Sequence, residues 1–523
     1  MLVSHPSPLD DRKSSENHFT GNNLYEILIA SVKNPEKVFL IREDESTVTY
    51  RDIDILSARI AYQLSQLGIK KGDRLVAQVA KSVEALALYL GCLRSGVIFV
   101  PLNPAFTLIE LQYYLENAEP KIVVCSPENY AEIANLAVKT GINIVKTIET
   151  KVENSLIVSQ EREAFNFSTV NVAKNDIAVM IYTSGTTGKP KGAMLSHHNL
   201  AVNGTDLKNC WNFSENDVLL HSLPIFHVHG LFFATHCVML GGASMVFLPK
   251  FSVDTVLKFL PKATVMMGVP TYYTRLLADN RFQKEICSQM RLFISGSAPL
   301  REETFKEFEA RTGLEILERY GMSETGVNTS NPLKGERRLG TVGLPLGKSE
   351  LRIVDDNNNP VPPDRVGNVQ VKGENVFAGY WRMPEKTKAE FTADGFFKTG
   401  DLGKLSVDGY VSLVGRAKDL IISGGMNVYP KEVEVCLNEI AGVVESAVIG
   451  LPHPDFGEAV TAVIVSDNLK MSDREIKAYL RERLANYKIP KQFLIIENLP
   501  RNAMGKIQKN ILRKQYQELY TIS

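Results

Sequence analysis

Short β-branched runs alternate with amphipathic helical stretches through roughly the first 300 residues, and this alternation constrains the fold more than any other feature of the sequence. Residues 50–69 and 82–96 carry apolar side chains at helical spacing, whereas residues 74–80 and 121–126 are short apolar runs. Strands that alternate with helices in this way predict a parallel sheet covered by helices. Four more apolar runs between about residues 217 and 300 predict a second system of the same kind.

The pattern of the sequence changes twice further along the chain. After Gly340, short strand-like segments are separated by Asn, Gly and Pro, which predicts a small β-rich unit. From Lys418 onward the order is helix, strand, strand, helix, which is enough for a separate small domain. The predicted fold class is α/β. We expect a large domain over residues 21–417, with two helix-covered mixed sheets and a small β-barrel-like subdomain, a mobile α+β domain over residues 418–523, and a loose tail over residues 1–20.

The composition excludes several classes of protein. Lys plus Arg and Asp plus Glu both number 59 in the 523 residues, so no net positive field is present to attract nucleic acid. The six cysteines are widely spaced without a CxxC pair, which argues against a disulfide framework or a thiolate zinc site. The N-terminal residues are typical of neither a signal nor a transit peptide, and no apolar run is long enough to span a membrane. We therefore expect a cytoplasmic protein without an integral membrane segment.

The segment YTSGTTGKPKGAMLSH, residues 182–197, is the most informative stretch of the chain. Glycines, hydroxyls and two lysines follow an apolar run, so a loop rich in hydrogen-bond donors is predicted at the end of a strand. Such a loop suits a polyphosphate. It is not a Walker A loop, because Pro190 follows Gly188 and Lys189 where that motif needs Ser or Thr. An ordinary surface turn is the alternative for this composition.

This segment resembles the signature loop of the adenylate-forming superfamily, which contains acyl-CoA synthetases, luciferases and peptide-synthetase adenylation domains. The resemblance covers essentially the whole chain after about residue 22. It implies an enzyme that forms an acyl-adenylate from Mg²⁺-ATP and a carboxylic acid, and then transfers the acyl group to coenzyme A. The other motifs of the family follow in order: ERYGMSET at 318–325, KTGDLG at 398–403, GRAKDLIISGGMNVYPKEVE at 415–434 and LPRNAMGK at 499–506.

The resemblance assigns nucleotide-binding roles to residues of these motifs. Tyr320 is expected to face the adenine, and Asp401 and Arg416 are expected to bind the ribose. Glu324 is expected to bind Mg²⁺, which prefers hard oxygen ligands. The complete ATP or AMP site implied by the resemblance consists of Thr183, Ser184, Gly185, Thr186, Thr187, Gly188, Lys191, Glu318, Tyr320, Gly321, Met322, Thr325, Asp401, Arg416 and Lys506.

Catalysis is assigned by the same resemblance to Lys506, Thr183 and Glu324. Lys506 lies in the predicted C-terminal domain and is expected to reach the carboxylate and the α-phosphate of the substrates. There its ammonium would stabilise the negative charge that builds up during the displacement, without acting as a nucleophile.

The resemblance also implies that the C-terminal domain moves between two reactions. Lys418 matches the hinge position of the family, and the domain is expected to turn as a body about it. After this rotation Ser423, Gly424 and Gly425 are expected to contact coenzyme A, since glycines allow a close approach of the backbone.

Four histidines lie close together between His221 and His236. The HVH spacing of His227 and His229 could place two imidazoles on one side of a strand, as in a metal site. No acidic residue lies within this stretch to complete such a site. The resemblance instead places the PIFHVHG segment at the acyl pocket, and we prefer that assignment.

The loops around this pocket resemble those of one branch of the superfamily, the malonyl-CoA synthetases. Arg275 gives that resemblance a chemical reason, because the second carboxylate of a dicarboxylic acid is costly to bury unless a fixed cation meets it. Ser297 or His229 could add hydrogen-bond donors. The alternative is that Arg275 lies on the outer face of its helix. The acyl pocket is then expected to contain His227, His229, Arg275, Ser297, Gly321 and Met322.

The sequence therefore predicts a ligase that joins malonate to coenzyme A with ATP and Mg²⁺. A synthetase for another dicarboxylic acid or for a medium- or long-chain monocarboxylic acid would share every ATP motif and differ only in the pocket. A non-catalytic nucleotide-binding module is an alternative of another class, although it predicts damaged motifs, and Lys506, Glu324 and Asp401 are present. No residue specifically indicates luciferase-like oxygen chemistry, and the sequence does not indicate an oligomeric state.

Overall fold

The computed structural model describes residues 19, 21–149, 154–157, 164, 167–183, 190–423, 426–502 and 505–520. The tail predicted for residues 1–20 lies outside this part except for residue 19. The α-helices of the described chain are α1 (Leu24–Ile29), α2 (Tyr50–Gln66), α3 (Val83–Ser95), α4 (Leu108–Ala118), α5 (Tyr130–Lys139), α6 (His197–Cys210), α7 (Thr235–Gly241), α8 (Val253–Phe259), α9 (Pro270–Leu277), α10 (Glu302–Thr312), α11 (Pro384–Ala389), α12 (Pro430–Asn438), α13 (Asp473–Arg481) and α14 (Lys509–Gln515).

The strands are short, as the sequence predicts. In chain order the described strands are β1 (Val38–Ile41), β2 (Thr47–Thr49), β3 (Arg74–Gln78), β4 (Ile98–Pro101), β5 (Ile122–Cys125), β6 (Ile144–Thr147), β7 (Ile177–Thr183), β8 (Lys191–Ser196), β9 (Val218–His221), β10 (Ser244–Phe247), β11 (Val265–Gly268), β12 (Leu292–Ser295), β13 (Ile316–Met322), β14 (Gly326–Ser330), β15 (Leu344–Pro345), β16 (Glu350–Val354), β17 (Gly367–Lys372), β18 (Gly379–Tyr380), β19 (Phe397–Leu405), β20 (Val411–Arg416), β21 (Ile421–Ser423), β22 (Met426–Val428), β23 (Val443–His453), β24 (Gly457–Ser466) and β25 (Gln492–Ile496).

Two large sheets form the body of the molecule and confirm the predicted α/β fold. One has the strand order β15-β14-β13-β12-β11-β9-β10-β1-β2, and the other has the order β18-β8-β7-β4-β3-β5-β6. Central strands pair in parallel, for example β11 with β12 and β3 with β4. Pairs nearer the edges, such as β1 with β2, β13 with β14 and β7 with β8, are antiparallel. Both sheets are therefore mixed.

Helix α3 shows how the two sheets share one core. Every residue of α3 except Glu84 is buried, and the same apolar cluster includes Phe99 of one sheet and Met245 of the other. A helix that is apolar on all sides is enclosed by protein. This explains the long apolar stretch of residues 85–102. Among the described residues, no helix has both the length and the apolar character needed to cross a bilayer.

Two smaller units complete the chain. An antiparallel sheet with the order β16-β17-β19-β20 follows the large sheets and forms the predicted β-rich unit. The C-terminal part contains a sheet of β22-β21-β24-β23 with β25 added to β24, and its order of α12, β23, β24 and α13 matches the predicted helix, strand, strand, helix. This sheet has its own apolar clusters. The domain boundary at residues 417 and 418 stays a prediction.

Gly343, the residue before β15, tests the packing of this segment against the end of β14. Its φ is +83°, and a Cβ there would lie 2.0 Å from the carbonyl carbon of Ser330. Gly141 offers a matched control, because its φ is +78° and no atom lies within 4 Å of the same position. Replacing either glycine by alanine costs about 1 to 2 kcal/mol for the left-handed backbone, but only Gly343→Ala adds a backbone clash.

We therefore expect Gly343→Ala to lower the melting temperature, measured by circular dichroism, much more than Gly141→Ala. Equal decreases in the melting temperature of the two variants would contradict the close packing of Gly343 against the end of β14.

Candidate active site

The β7–β8 hairpin carries the glycine-rich loop. Thr183, the last residue of β7, pairs with Lys191, the first residue of β8, so the loop leaves and rejoins the sheet at one point. The antiparallel pairing therefore fixes both ends of the loop. The predicted phosphate-binding residues Ser184, Gly185, Thr186, Thr187 and Gly188 lie outside the described residues, and their contact with ATP stays a prediction.

Glu324 contacts the beginning of this loop. Thr183 Oγ1 donates a hydrogen bond to Glu324 Oε1 at 3.2 Å, and the Tyr380 hydroxyl lies 3.1 Å from the same oxygen. Glu324 is buried, and this burial raises the pKa of its carboxyl group, while the hydrogen bonds from Tyr380 and Thr183 act in the opposite direction. The structure thus brings together Thr183 and Glu324, and it adds Tyr380, which sequence reasoning missed.

Glu390 is a second carboxylate around Tyr380. The Tyr380 hydroxyl lies 2.9 Å from Glu390 Oε2, and the ammonium groups of Lys191 and Lys386 lie 3.3 Å and 2.8 Å from Glu390 Oε1. A hydroxyl has one hydrogen, so Tyr380 can donate to only one of its two carboxylate neighbours at a time. Lys191 is thus paired with Glu390 at the base of the loop. Its predicted contact with ATP stays a prediction.

The groups around Glu324 fit a Mg²⁺ ion that arrives with a nucleotide. Proteins often bind Mg²⁺ through one or two carboxylates together with substrate phosphates. Glu324 offers one buried carboxylate beside the Thr183 hydroxyl and the glycine-rich loop. Within the described ranges, no group of three or more His, Cys, Asp or Glu side chains could hold a metal ion by itself.

Tyr320, Asp401 and Arg416 form one connected cluster. The Tyr320 hydroxyl donates to Asp401 Oδ2, and Arg416 Nε lies 2.8 Å from Asp401 Oδ1. Asp401 and Arg416 are direct partners in the β19–β20 pairing. Arg416 Nη1 also donates to the carbonyl of Thr399 at 2.9 Å, and this second contact fixes the orientation of the guanidinium. The structure therefore places all three predicted nucleotide-binding side chains together.

Strand β13 carries the ERYGM motif, and its neighbours hold it closely. Glu318 accepts a hydrogen bond from the Leu300 amide at 3.0 Å, and burial raises the pKa of the Glu318 carboxyl group to about 7. A Cβ at Gly321 would lie 2.2 Å from the carbonyl oxygen of Gly326, so only glycine permits the approach of β14. Met322 lies at the end of the strand. Thr325 is fully buried, and its hydroxyl has no hydrogen-bond partner in the part of the chain that the structure describes.

Lys506 belongs to the C-terminal region, but it lies near the cluster of Tyr320, Asp401 and Arg416. A Cβ at Gly505 would come within 3.4 Å of Thr271 Oγ1 on α9, so the lysine loop lies against the large domain. Lys506 retains solvent exposure, yet the surrounding protein displaces enough water to lower the pKa of its ammonium, and Arg416 lowers it further. Asp401 acts in the opposite direction. The structure thus places Lys506 near the predicted ribose-binding pair.

His229 begins a π-helical turn, His229–Ala234, of a kind that often marks functional sites. Its Nδ1 lies 3.2 Å from Ser297 Oγ, while its buried Nε2 has no hydrogen-bond partner within the described ranges. Burial lowers the pKa of His229 well below its ordinary value. Burial also lowers the pKa of His227 to about 4, with contributions from Arg319 and Lys506. Both imidazoles are therefore neutral at pH 7.

Arg319 is another residue that sequence reasoning missed. It is 3% exposed, and its Nε and Nη2 atoms are buried without hydrogen-bond partners among the residues that the structure describes. Its guanidinium lies 5.0 Å from the centre of the Phe233 ring, and a Cβ at Gly296 would come within 2.4 Å of its Cζ. Burial lowers the pKa of Arg319 to about 9, so it is charged at pH 7. No described carboxylate forms a salt bridge with it.

A signal for Arg319 was present in the sequence. Successive residues of a strand face opposite sides of a sheet, so the arginine between Glu318 and Tyr320 must face away from both of them. Arg319 lowers the pKa of His227 and His229, which places it on the side of the predicted acyl pocket.

Other predicted residues lie elsewhere. Arg275 is exposed on α9, so the structure does not bring it into the buried cluster of His229 and Arg319, and its role in the acyl pocket stays a prediction. Lys418 is exposed in the short 3₁₀ turn after β20. Ser423 ends β21, whereas Gly424 and Gly425 lie outside the described residues. The hinge and coenzyme A assignments are therefore not tested.

The two outer histidines of the cluster bind other groups. His221 Nε2 donates to the carbonyl of Gly230 at 2.8 Å, and its Nδ1 lies 2.9 Å from the buried ammonium of Lys81. His236 Nε2 lies 2.8 Å from the Tyr89 hydroxyl. The four histidines thus do not converge on one point, and only His227 and His229 are associated with Arg319.

Comparison with known proteins gives a consistent result along the chain. The profile of the AMP-binding enzyme family matches residues 29–381, and that of the AMP-binding enzyme C-terminal domain matches residues 432–506. A malonate–CoA ligase of Arabidopsis thaliana is 35% identical over 481 residues, covering 86% of this chain and 78% of that protein. A sulfoacetate–CoA ligase of Cupriavidus necator is 31% identical, covering 92% of this chain and 96% of that protein.

Solved structures agree with this result. ATP-bound MatB from Rhodopseudomonas palustris superposes with a TM-score of 0.92 at 48% identity, covering 96% of this chain and 100% of that chain. The apo structure of MatB from the same organism gives a TM-score of 0.81 at 47% identity, with the same coverage. The arrangement of this chain is thus closer to the ATP-bound structure. Since a family profile matches more than half of the chain and relatives are more than 30% identical along most of it, this protein belongs to the AMP-binding enzyme family.

Proposed function

We propose that this enzyme is an ATP-dependent malonate–CoA ligase. In the first reaction a carboxylate oxygen of malonate attacks the α-phosphorus of ATP, and pyrophosphate leaves. In the second reaction the sulfur of coenzyme A attacks the acyl carbon of the malonyl-adenylate, AMP leaves with the bonding electrons, and the thiol proton passes to solvent. The observation that supports malonate as the acid is the buried guanidinium of Arg319, whose Nε and Nη2 have no hydrogen-bond partner in the described part of the chain.

The charge of Arg319 selects for an anionic substrate group. A buried charge without a partner is costly, and the loss is recovered only when an opposite charge with good hydrogen-bond geometry arrives. The neighbouring His227 and His229 are neutral at pH 7 and cannot supply that charge. A monocarboxylic acid would place a methyl group or an alkyl chain against the guanidinium. The second carboxylate of malonate would instead accept two parallel hydrogen bonds from Nε and Nη2.

The same residues favour a short acid. Arg319 and Lys506 both lower the pKa of His227, so the proposed carboxylate partner and the proposed catalytic lysine both lie close enough to influence one imidazole. A three-carbon dicarboxylate could then present one carboxylate to Arg319 and the other to Lys506. Relatives that act on malonate and sulfoacetate, both short acids with a second negative group, are consistent with this proposal.

Adenylation in this proposal depends on orientation and charge stabilisation. Tyr320, Asp401 and Arg416 would hold the adenosine, and the glycine-rich loop would hold the phosphates. Lys506 would donate hydrogen bonds to the attacking carboxylate and to the α-phosphate as negative charge develops between them. Mg²⁺ bound at Glu324 would supply neutralisation of the phosphate charge. The enzyme needs no nucleophile of its own.

Thioester formation would require the C-terminal domain to turn about Lys418. Ser423, Gly424 and Gly425 would then approach the pantetheine of coenzyme A. Lys506 lies close enough to Arg416 for its pKa to be lowered, and this position would suit the first reaction. The domain boundary after residue 417, this rotation and the cytoplasmic location expected from the sequence stay predictions.

The direct test of this function is a panel of acids assayed for AMP release in the presence of Mg²⁺, ATP and coenzyme A. We expect malonate to give the highest kcat/KM, with methylmalonate lower, and acetate and octanoate lower by at least about 10²-fold, because neither monocarboxylate can pair the buried charge. Higher activity with octanoate than with malonate would contradict the proposed substrate. Absence of AMP release with every acid would contradict the ligase itself.

Replacement of Arg319 by methionine separates its role in binding from its role in stability. The change removes a buried unpaired charge and keeps an apolar side chain of similar length, so the melting temperature is expected to stay the same or rise. The kcat/KM for malonate is expected to fall about 10- to 1,000-fold, as for the loss of one partner of a buried charge pair.

Arg275→Met is the matched control, and we expect it to change kcat/KM for malonate by no more than about threefold, since exposed charges contribute little. If Arg275→Met abolished malonate activity while Arg319→Met did not, the second carboxylate would bind to Arg275 and this proposal would be wrong.

Replacement of Lys506 by glutamine tests its role in the first reaction. We expect malonate-dependent exchange of pyrophosphate into ATP to fall by about 10²-fold or more, because a charged donor to the transition state is lost. Thioester formation from synthetic malonyl-adenylate and coenzyme A should change by only a few fold. An equal loss in both assays would show that Lys506 does not act specifically in adenylation.

A further inference from the structure

Arg301 joins the large domain to the C-terminal region. It precedes α10 as its N-cap residue, and its side chain is half-buried. Its Nη1 atom donates to the carbonyl of Val444 at 2.5 Å, and its Nη2 atom donates to the carbonyl of Asn438 at 3.3 Å. Both acceptors lie within the stretch that matches the C-terminal domain of the family. One guanidinium therefore binds two carbonyls across the two parts of the chain.

The acceptors of Arg301 are backbone groups that need a partner. Asn438 is the last residue of α12. The final carbonyls of a helix accept no hydrogen bond from an amide of the same helix, so they need another donor. A cation at this end also interacts favourably with the helix dipole. Because these carbonyls belong to the backbone of α12 and β23, the contact fixes the position of that part of the C-terminal sheet rather than the position of one side chain.

A short chain of contacts connects this point to Lys506. Glu445 follows Val444 on β23 and forms a salt bridge with Arg501. Arg501 also donates to the carbonyl of Gly505, the residue before Lys506. The Lys506 amide in turn donates to Asn502 Oδ1 at 2.9 Å. The loop that carries Lys506 is thus attached to the segment of β23 that Arg301 holds.

On the side of the large domain, Arg301 is attached to the nucleotide strand. Leu300, the residue before it, donates its amide hydrogen to Glu318 of β13. Burial raises the pKa of Glu318, and Lys431 near the start of α12 lies close enough to lower it. Both ends of α12 therefore face the same segment of the large domain, with Lys431 near Glu318 and Asn438 bound to Arg301.

We propose that Arg301 is a positioning residue that holds the C-terminal domain in the orientation in which Lys506 reaches the acid and the α-phosphate. This inference rests on the proposed ligase function, since it assigns Arg301 to the first of the two reactions. The contact with Val444 and Asn438 must break when the domain turns toward coenzyme A. Arg301 therefore assists adenylation and does not assist thioester formation.

The test uses the full-length enzyme and separate assays of the two reactions. Malonate-dependent exchange of pyrophosphate into ATP reports the first, and malonyl-CoA formation from synthetic malonyl-adenylate reports the second. For Arg301→Met we expect exchange to fall roughly tenfold or more, as for loss of charged hydrogen bonds, with thioester formation unchanged or faster. Arg301→Lys keeps the charge and should recover part of the exchange activity.

Arg311→Met provides the matched control on the same helix. Arg311 donates to the carbonyls of Leu277 and Asp279 inside the large domain, so its loss removes comparable contacts without touching the C-terminal region. We expect this variant to leave the ratio of the two activities unchanged. The same change of ratio in Arg311→Met and Arg301→Met would overturn the proposal.

Three further results would also overturn it. Arg301→Met could lower both activities in parallel with the melting temperature, which would indicate a purely structural role. It could leave both activities unchanged, which would show that the contact does not position Lys506. Finally, wild-type enzyme that catalyses neither reaction would contradict the proposed function itself, whereas the first two results would leave that function intact.

Discussion

The buried guanidinium of Arg319 is the physical constraint on which the proposed acid-binding site depends. A charged side chain that is 3% exposed, and whose Nε and Nη2 atoms have no partner among the described residues, is stable in the folded protein only because many other contacts determine the fold around it. Phe233 covers one of its faces, and Gly296 leaves room for its Cζ. The protein thus keeps an unsatisfied cation in the middle of β13, just beyond the end of β12, and a carboxylate is the chemical group that would satisfy it.

Successive side chains of β13 face opposite sides of the sheet, so this strand contributes to two different parts of the site. Tyr320 bonds to Asp401 on the side that we assign to the nucleotide, and Glu318 supports the Leu300 loop. Arg319, between them, acts on His227 and His229 on the other side. Because neighbouring residues of a strand point in opposite directions, three consecutive residues can line two different pockets. Lys506 of the C-terminal region interacts electrostatically with Arg416 of the nucleotide-binding cluster and with His227.

Much of this could be predicted from the sequence, since the motifs are local. The alternation of strands and helices predicts both mixed sheets, and the structure also places Thr183 with Glu324 and Tyr320 with Asp401. Tyr380 and Glu390 could not be found in this way, because their contacts with Glu324 and Lys191 join segments that are far apart in the chain. Such pairs depend on how the β-hairpins pack, which local patterns do not specify.

Arg275 and Arg319 show more closely what could not be predicted from the sequence. Arg275 was the chemically reasonable candidate, but Tyr273, Leu276 and Leu277 are the buried residues of α9, and Arg275 lies on the opposite side. That helical phase was visible in the sequence. The burial of Arg319, by contrast, depends on β12, the π-helical turn and the Gly296 loop all meeting at one point. Charge and motif position alone therefore could not decide which arginine is available to a buried substrate.

A crystal structure of the enzyme with malonate and a non-hydrolysable ATP analogue would test most directly whether Arg319 binds the second carboxylate of the acid. We expect one malonate carboxylate within hydrogen-bonding distance of Arg319 Nε and Nη2, and the other carboxylate near the α-phosphate and Lys506. A malonate molecule whose second carboxylate binds Arg275 or solvent, with Arg319 still unpaired, would contradict this expectation.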